Sequence, residues 1–253
     1  MLRIPRQPQS LLEVLKMGFR LGIENFWGII PFTLLMTPLS VFIQPQTRFT
    51  LVDSTDAWVL FFIALAIFLF CTFHASIIFR IKMNIKNYEL SHWDTLMGGL
   101  KMALPLFVIV FLQLLFLFSL GFVSSLLGPI LGKVMTVIYM TAAIYFFVFL
   151  SLATFLLVLY DQGILSSLTD SINLVRGNWW RTFTLFFILM FFMKIIPAFF
   201  GLFFGMQLVV ASVLCFFILA LLLPLWYGGM IALVFDLKCR SPQGFSRLKI
   251  PAS

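Results

Sequence analysis

Few side chains in this sequence are of a type and spacing that could do chemistry. Cys71 and His74 stand three residues apart, which puts a thiol and an imidazole on one face of a helix. A metal site needs about four donors counting water, so this pair does not make one by itself. The other use of His74 is a hydrogen bond inside a helical bundle or near its end. Lys194 lies well inside an apolar run, ahead of Ile195-Ile196-Pro197. Its ammonium either reaches the interface along its apolar stem or lines a polar cavity and pairs with an anion. Gln113 and Gln207 are amides in apolar surroundings, able to bond a substrate or a neighbouring helix. Asp161 and Asp236 each follow an aromatic residue at the end of an apolar run. A carboxylate so placed is better suited to pair with Arg176, Arg181 or Arg240, or to accept from a following helix, than to relay protons, because ionisation at an interface costs little. Trp179 and Trp180 suit headgroup depth, as anchors or as lipid contacts.

Enzyme signatures are absent: there is no His-Glu-x-x-His, Gly-x-Ser-x-Gly, Gly-x-x-x-x-Gly-Lys-Ser/Thr or Gly-x-Gly-x-x-Gly. No cofactor or metal is expected. Cys71, Cys215 and Cys239 are read as unpaired thiols.

The elements that must hold these residues follow from composition. The 253 residues are 62% apolar and 10% charged, with 33 Phe, more apolar side chain than a water-soluble body of this size can hide. The surplus must face lipid. Six runs approach the roughly 20 apolar residues of a spanning helix: Phe26–Ile43, Ala57–Phe79, Met102–Leu120, Val134–Tyr160, Thr182–Phe200 and Gln207–Phe235. They are apolar all round, unlike the alternating strands of a barrel. Arg3, Arg6, Lys16, Arg20, Arg80, Lys82, Lys86, Lys101, Arg176, Arg181, Lys238, Arg240, Arg247 and Lys249 fall on the side of both termini, against Arg48 and Lys133 opposite. That bias places both termini in the cytoplasm. The net charge of +8 is then mainly a topology signal. Nucleic-acid binding is not expected, because the basic residues are dispersed and no recognition motif accompanies them. Residues 10–24 are too charged for a signal peptide.

The chain also repeats itself. Glu13, Lys16, Arg20 and Glu24 draw a polar stripe on a helix, with Leu11, Leu12, Leu15 and Phe19 largely opposite, and Asn25-Phe26-Trp27 opens a span. Ser166, Thr169, Asp170, Asn173 and Arg176 repeat the stripe opposite Leu165, Leu168, Ile172 and Val175, before Asn178-Trp179-Trp180. Half of the Asn25-to-Asn178 offset predicts a middle copy near residue 102. Ser91, Asp94, Thr95, Gly98 and Lys101 supply it, opposite Trp93, Leu96, Met97 and Leu100. The expected architecture is all-α: one membrane domain of six transmembrane helices, arranged as three parallel helical-hairpin repeats (10–86, 91–161 and 165–240). Each repeat opens with a cytoplasmic interfacial amphipathic helix, and a cytoplasmic tail, 241–253, follows the third.

The run Asp170-Ser171-Ile172-Asn173-Leu174-Val175-Arg176-Gly177-Asn178-Trp179-Trp180-Arg181-Thr182-Phe183 resembles a signature of a broad group of bacterial membrane proteins. These are the YciC-like family and the membrane domain attached to some glycerophosphodiester phosphodiesterases. Phe235-Asp236-Leu237-Lys238-Cys239-Arg240 followed by Gly244-Phe245 is similar to that group's ending, with Lys238 in place of its Arg and Pro-Gln ahead of the Gly. The resemblance implies a six-helix inner-membrane protein linked to membrane or envelope homeostasis, without phosphodiesterase chemistry. The expected function is therefore non-enzymatic, with membrane lipids as partners. The rival expectations are a transporter of small solutes or lipids, with Lys194, Gln113 and Gln207 in a cavity between hairpins, and a scaffold for a protein partner.

Overall fold

The computed structural model describes residues 7–43, 57–126, 129–203 and 208–241. Among the described residues helix is the only regular secondary structure: α1 (Leu11–Glu24), α2 (Phe26–Ile43), α3 (Ala57–Ile85), α4 (His92–Leu126), α5 (Pro129–Leu150), α6 (Ala153–Tyr160), α7 (Ile164–Arg176), α8 (Trp179–Phe203) and α9 (Leu208–Arg240). Among the described residues four helical stretches are long and apolar enough to cross a membrane: Phe61–Ile85, His92–Leu115, Val137–Tyr160 and Phe216–Arg240. The described side chains of α2 and α8 cover the shorter apolar stretches Phe26–Leu39 and Trp179–Met193.

Local signals account for several boundaries. Ser10 and Glu13 form a capping box: the Ser10 hydroxyl accepts from the Glu13 N–H (3.3 Å) and the Glu13 carboxylate from the Ser10 N–H (2.8 Å). Ser91 does the same work for α4, accepting from the Asp94 N–H at 3.1 Å. Here the structure departs from the expected hairpin, because no break separates the amphipathic segment from the span and α4 runs unbroken through both. α6 ends where Asp161 turns left-handed at φ 52°.

The fourth expected span is not one rod. It breaks at Ser151-Leu152 between α5 and α6, where the chain is buried. The carbonyls at the break are nevertheless occupied. Phe147 O accepts from the Ser151 N–H (2.8 Å), Val148 O from the Ser151 hydroxyl (2.9 Å), Phe149 O from the Ser171 hydroxyl of α7, and Leu150 O from the Gln113 amide of α4 (3.1 Å). In apolar surroundings a broken helix persists only when its freed backbone groups find such partners.

Packing of the amphipathic segments follows a rule that their polar stripes did not announce. The buried residues of α1 are Val14, Gly18, Leu21 and Gly22, and those of α7 are Ser167, Ser171, Leu174 and Val175. At the start of α4 they are Thr95, Gly99 and Ala103. Counted from the residues that precede these helices, Ser10, Ser91 and Gly163, positions four, eight and twelve are buried in all three. They are mostly small, so backbones approach closely. A Cβ at Gly18 would lie 2.5 Å from Gly229 Cα of α9, one at Gly228 2.2 Å from Gly18 O, and one at Gly99 2.6 Å from Ser76 N of α3. Most large side chains of the apolar stripes stand outside, as do Leu12 and Phe19, Trp93, Met97 and Leu100, and Leu165 (79% exposed) and Ile172, whereas Leu15, Leu96 and Leu168 pack partly against the core.

α1 runs antiparallel along α9. Gln9 meets Asp236, Gly18 meets Gly229 and Gly22 meets Pro224, a shared length of about 18 Å at 1.5 Å per residue. α8 lies beside both, with Leu189 against Gly229. The innermost apolar core joins α3 (Ile77, Ile78, Ile81), α6 (Leu156, Leu157) and α9 (Met230, Ile231, Val234).

Candidate functional site

The densest polar cluster lies where the start of α1, the start of α8 and the end of α9 converge. Asp236 is fully buried. Its Oδ1 accepts from the Gln9 N–H (2.8 Å), and its Oδ2 accepts from Arg181 Nε (2.7 Å) and Arg240 Nε (3.0 Å). Both guanidinium groups then donate from Nη2 to the Gln9 carbonyl, at 2.7 and 2.6 Å. A buried carboxylate is tolerated only with this kind of pairing and hydrogen bonding. Arg181 stands in the first turn of α8, where the helix dipole disfavours a cation, and Asp236 offsets that cost. Arg240 at the end of α9 is favoured by the dipole. One carboxylate thus ties the chain ahead of α1 to two other helices.

A second junction pairs Lys82 of α3 with Asp161. The buried Lys82 ammonium donates to Asp161 Oδ2 (2.6 Å) and to Val158 O (2.9 Å), a carbonyl in the last turn of α6. A third is made by Arg80, which donates to Leu90 O and Thr95 Oγ1 (3.2 Å) and lies over Gly28, where a Cβ would stand 2.8 Å from its Nε. Asn84 of α3 donates to Asn25 Oδ1 (2.9 Å), closing the corner between α1 and α2. At the N-terminus of α1 the Ser10 N–H, then the Ser10 hydroxyl, hold the Glu13 carboxyl below its ordinary value.

His74 is buried between α3, α6 and α9. Its Nδ1 bonds the Tyr227 hydroxyl, and that hydroxyl donates to Met36 Sδ of α2 (3.4 Å). Phe70, Phe155 and Tyr227 surround the ring, and Nε2 has no partner among the described residues. Cys71 is a buried free thiol. Among the described residues no three His, Cys, Asp or Glu converge on a point where a metal ion could sit.

The residues singled out from the sequence therefore do not gather in one place. Asp236, Arg181 and Arg240 meet; Asp161 takes Lys82 instead of an arginine; Arg176 is exposed and makes no ion pair among the described residues. Gln113 spends its amide on the break before α6. Lys194 falls within α8 with its side chain outside the described residues, and Gln207 lies wholly outside them. Trp179 packs inward, stacked on Phe183 (5.0 Å, 6°) and Tyr145 (5.5 Å, 27°), whereas Trp27, Trp93 and Trp180 point outward. Sequence reasoning missed Gln9, whose part is played by its backbone, and the packing role of the glycines, although Gly18-x-x-x-Gly22 was a usable signal.

No family model matches the chain, and neither a curated protein nor a solved structure matches it.

Proposed function

We propose that the chain is a non-enzymatic, multi-pass integral protein of the bacterial cytoplasmic membrane, of the YciC-like kind, which organises bilayer lipid in the service of envelope integrity. The observation that carries this reading is the orientation of α1, the start of α4 and α7. Each docks by small residues and turns large apolar side chains outward, an arrangement suited to acyl chains and costly in water. Charged groups at the helix ends are paired with one another, as expected of structural junctions.

In this reading the six apolar helical segments are spans with both termini cytoplasmic, and the chain is three repeats. The shared burial pattern supports the repeats, with a register set by the residues ahead of each helix. The offsets are then 81 (10 to 91) and 72 (91 to 163) in place of two steps near 77. The transporter reading has less support, because Gln113 already serves the helix break.

Deleting the gene and profiling membrane lipids tests the proposal, together with survival under detergent and osmotic stress. Altered lipid composition or raised sensitivity, restored by the intact gene, is expected; an unchanged profile and unchanged sensitivity would remove it.

A further inference from the structure

α1 has two apolar faces, and only one is used against α9. The other, Leu12, Leu15, Phe19 and Ile23, floors a groove of about 670 Å³ whose far wall includes Phe192 of α8. That volume lies within the roughly 300–1,000 Å³ of small-ligand sites. At 100° per residue, Lys16, Arg20 and Glu24 follow one another along one edge of the same stripe, and all three line the groove. Arg20 Nε pairs with Glu24 Oε1 at 2.7 Å, so these two charges cancel. Glu13, one turn before Lys16, is turned to Ser10 in the capping box. Lys16 makes no hydrogen bond or ion pair among the described residues. Its charge acts on Glu13 only at longer range, so an apolar slot is edged by one ammonium with no direct partner among the described residues.

We propose that this groove holds one anionic glycerophospholipid, with an acyl chain along Leu15, Phe19, Ile23 and Phe192 and a phosphodiester oxygen on the Lys16 ammonium. The single negative charge of such a lipid gives Lys16, the one basic group of this edge without a direct partner, an anion to bond, while Arg20 stays with Glu24. A zwitterionic lipid brings an ammonium that Lys16 and Arg20 repel, and Glu24 is already committed to Arg20. The site rests on the membrane reading given above and makes it specific: the protein selects a headgroup as well as accepting the bilayer.

The test has two stages, so that the two readings fail separately. Membranes holding the full chain are first extracted with alkaline carbonate; release of the chain would overturn both readings. The retained protein is then purified in mild detergent, stripped of lipid and titrated with dioleoylphosphatidylglycerol, dioleoylphosphatidylethanolamine or dioleoylphosphatidylcholine under native mass spectrometry. Preferential retention of one phosphatidylglycerol is expected. Lys16→Gln should weaken that binding about fivefold, the worth of one basic residue near a lipid surface, while Lys16→Arg restores it. Lys101→Gln, on α4 away from the groove, should change nothing. Leu15→Trp, which fills the slot, should abolish the preference. Equal retention of the three lipids by the unaltered protein overturns the site without touching the membrane reading. So does a preference for phosphatidylethanolamine, or a preference that survives Lys16→Gln unchanged.

Discussion

Asp236 accepts three hydrogen bonds with no exposure to solvent, and its two arginines share a second acceptor in the Gln9 carbonyl. Removing its charge strands two guanidinium groups that are themselves only partly exposed. Asp236→Asn is therefore expected to destabilise the folded chain by about 3 kcal/mol, the lower end for breaking a buried ion pair, read as a lowered melting temperature in detergent. Glu13 gives a prediction with a defined sign. Its folded carboxyl is held below the ordinary value of 4.5, chiefly by the Ser10 N–H. The capping box thus contributes fully above that value and loses its contribution as pH falls through the lowered one. Melting curves taken over falling pH should show the unaltered protein losing its advantage over Glu13→Gln; parallel curves would contradict the assignment. At this scale the sequence was informative about which charges pair when the partners stand four apart, as for Asp236 and Arg240. Arg181 was legible only as a candidate, and Lys82 with Asp161 not at all, because residues 79 positions apart meet only through the fold.

The amphipathic segments were legible as helices, but whether their apolar stripes face acyl chains or the helix bundle was not. Periodicity ranks faces by hydrophobicity, and in apolar surroundings hydrophobicity does not draw one helix to another; close backbone approach does. Gly18 tests this directly. Gly18→Leu must push α1 off Gly229, so cleavage by trypsin after Lys16 or Arg20 should accelerate at least several-fold. Gly177→Ala is the matched control, since its Cβ would meet nothing within 4 Å, and proteolysis should be unaltered. The broken α5–α6 element offers a second case. Gln113→Leu leaves the Leu150 carbonyl without its donor and should cost about 1–3 kcal/mol in thermal unfolding; a neutral outcome would show that the break is satisfied otherwise.

Across the whole molecule, the starts of α4 and α7 dock on helices that precede them in the chain, while α1 docks on the last helix and joins the two ends of the sequence. Three parallel repeats, as proposed above, would give such closure if successive hairpins pack in order round an axis. If both termini are cytoplasmic, protease-sensitive tags at the two ends of the chain should be cut together from the cytoplasmic side and protected together from the other; opposite protection would break the six-span reading. The sequence by itself determined the solvent and the elements: 62% apolar residues in long uninterrupted runs can only be helices with lipid-facing sides, and Ser10, Ser91 and Asn25 mark where they begin and turn. Helix formation and lipid compatibility depend on residues within a few turns, so local pattern suffices. Only the tertiary structure decided that Gly18, Gly22 and Gly99 face in while Leu12, Leu100 and Leu165 face out, that Asp236 closes on Gln9, that Gln113 mends a break in another helix, and that α1 leaves a groove beside α8. Those outcomes depend on which backbones can approach within a few ångströms and which buried polar groups then find partners, a contest among distant segments that no local pattern contains.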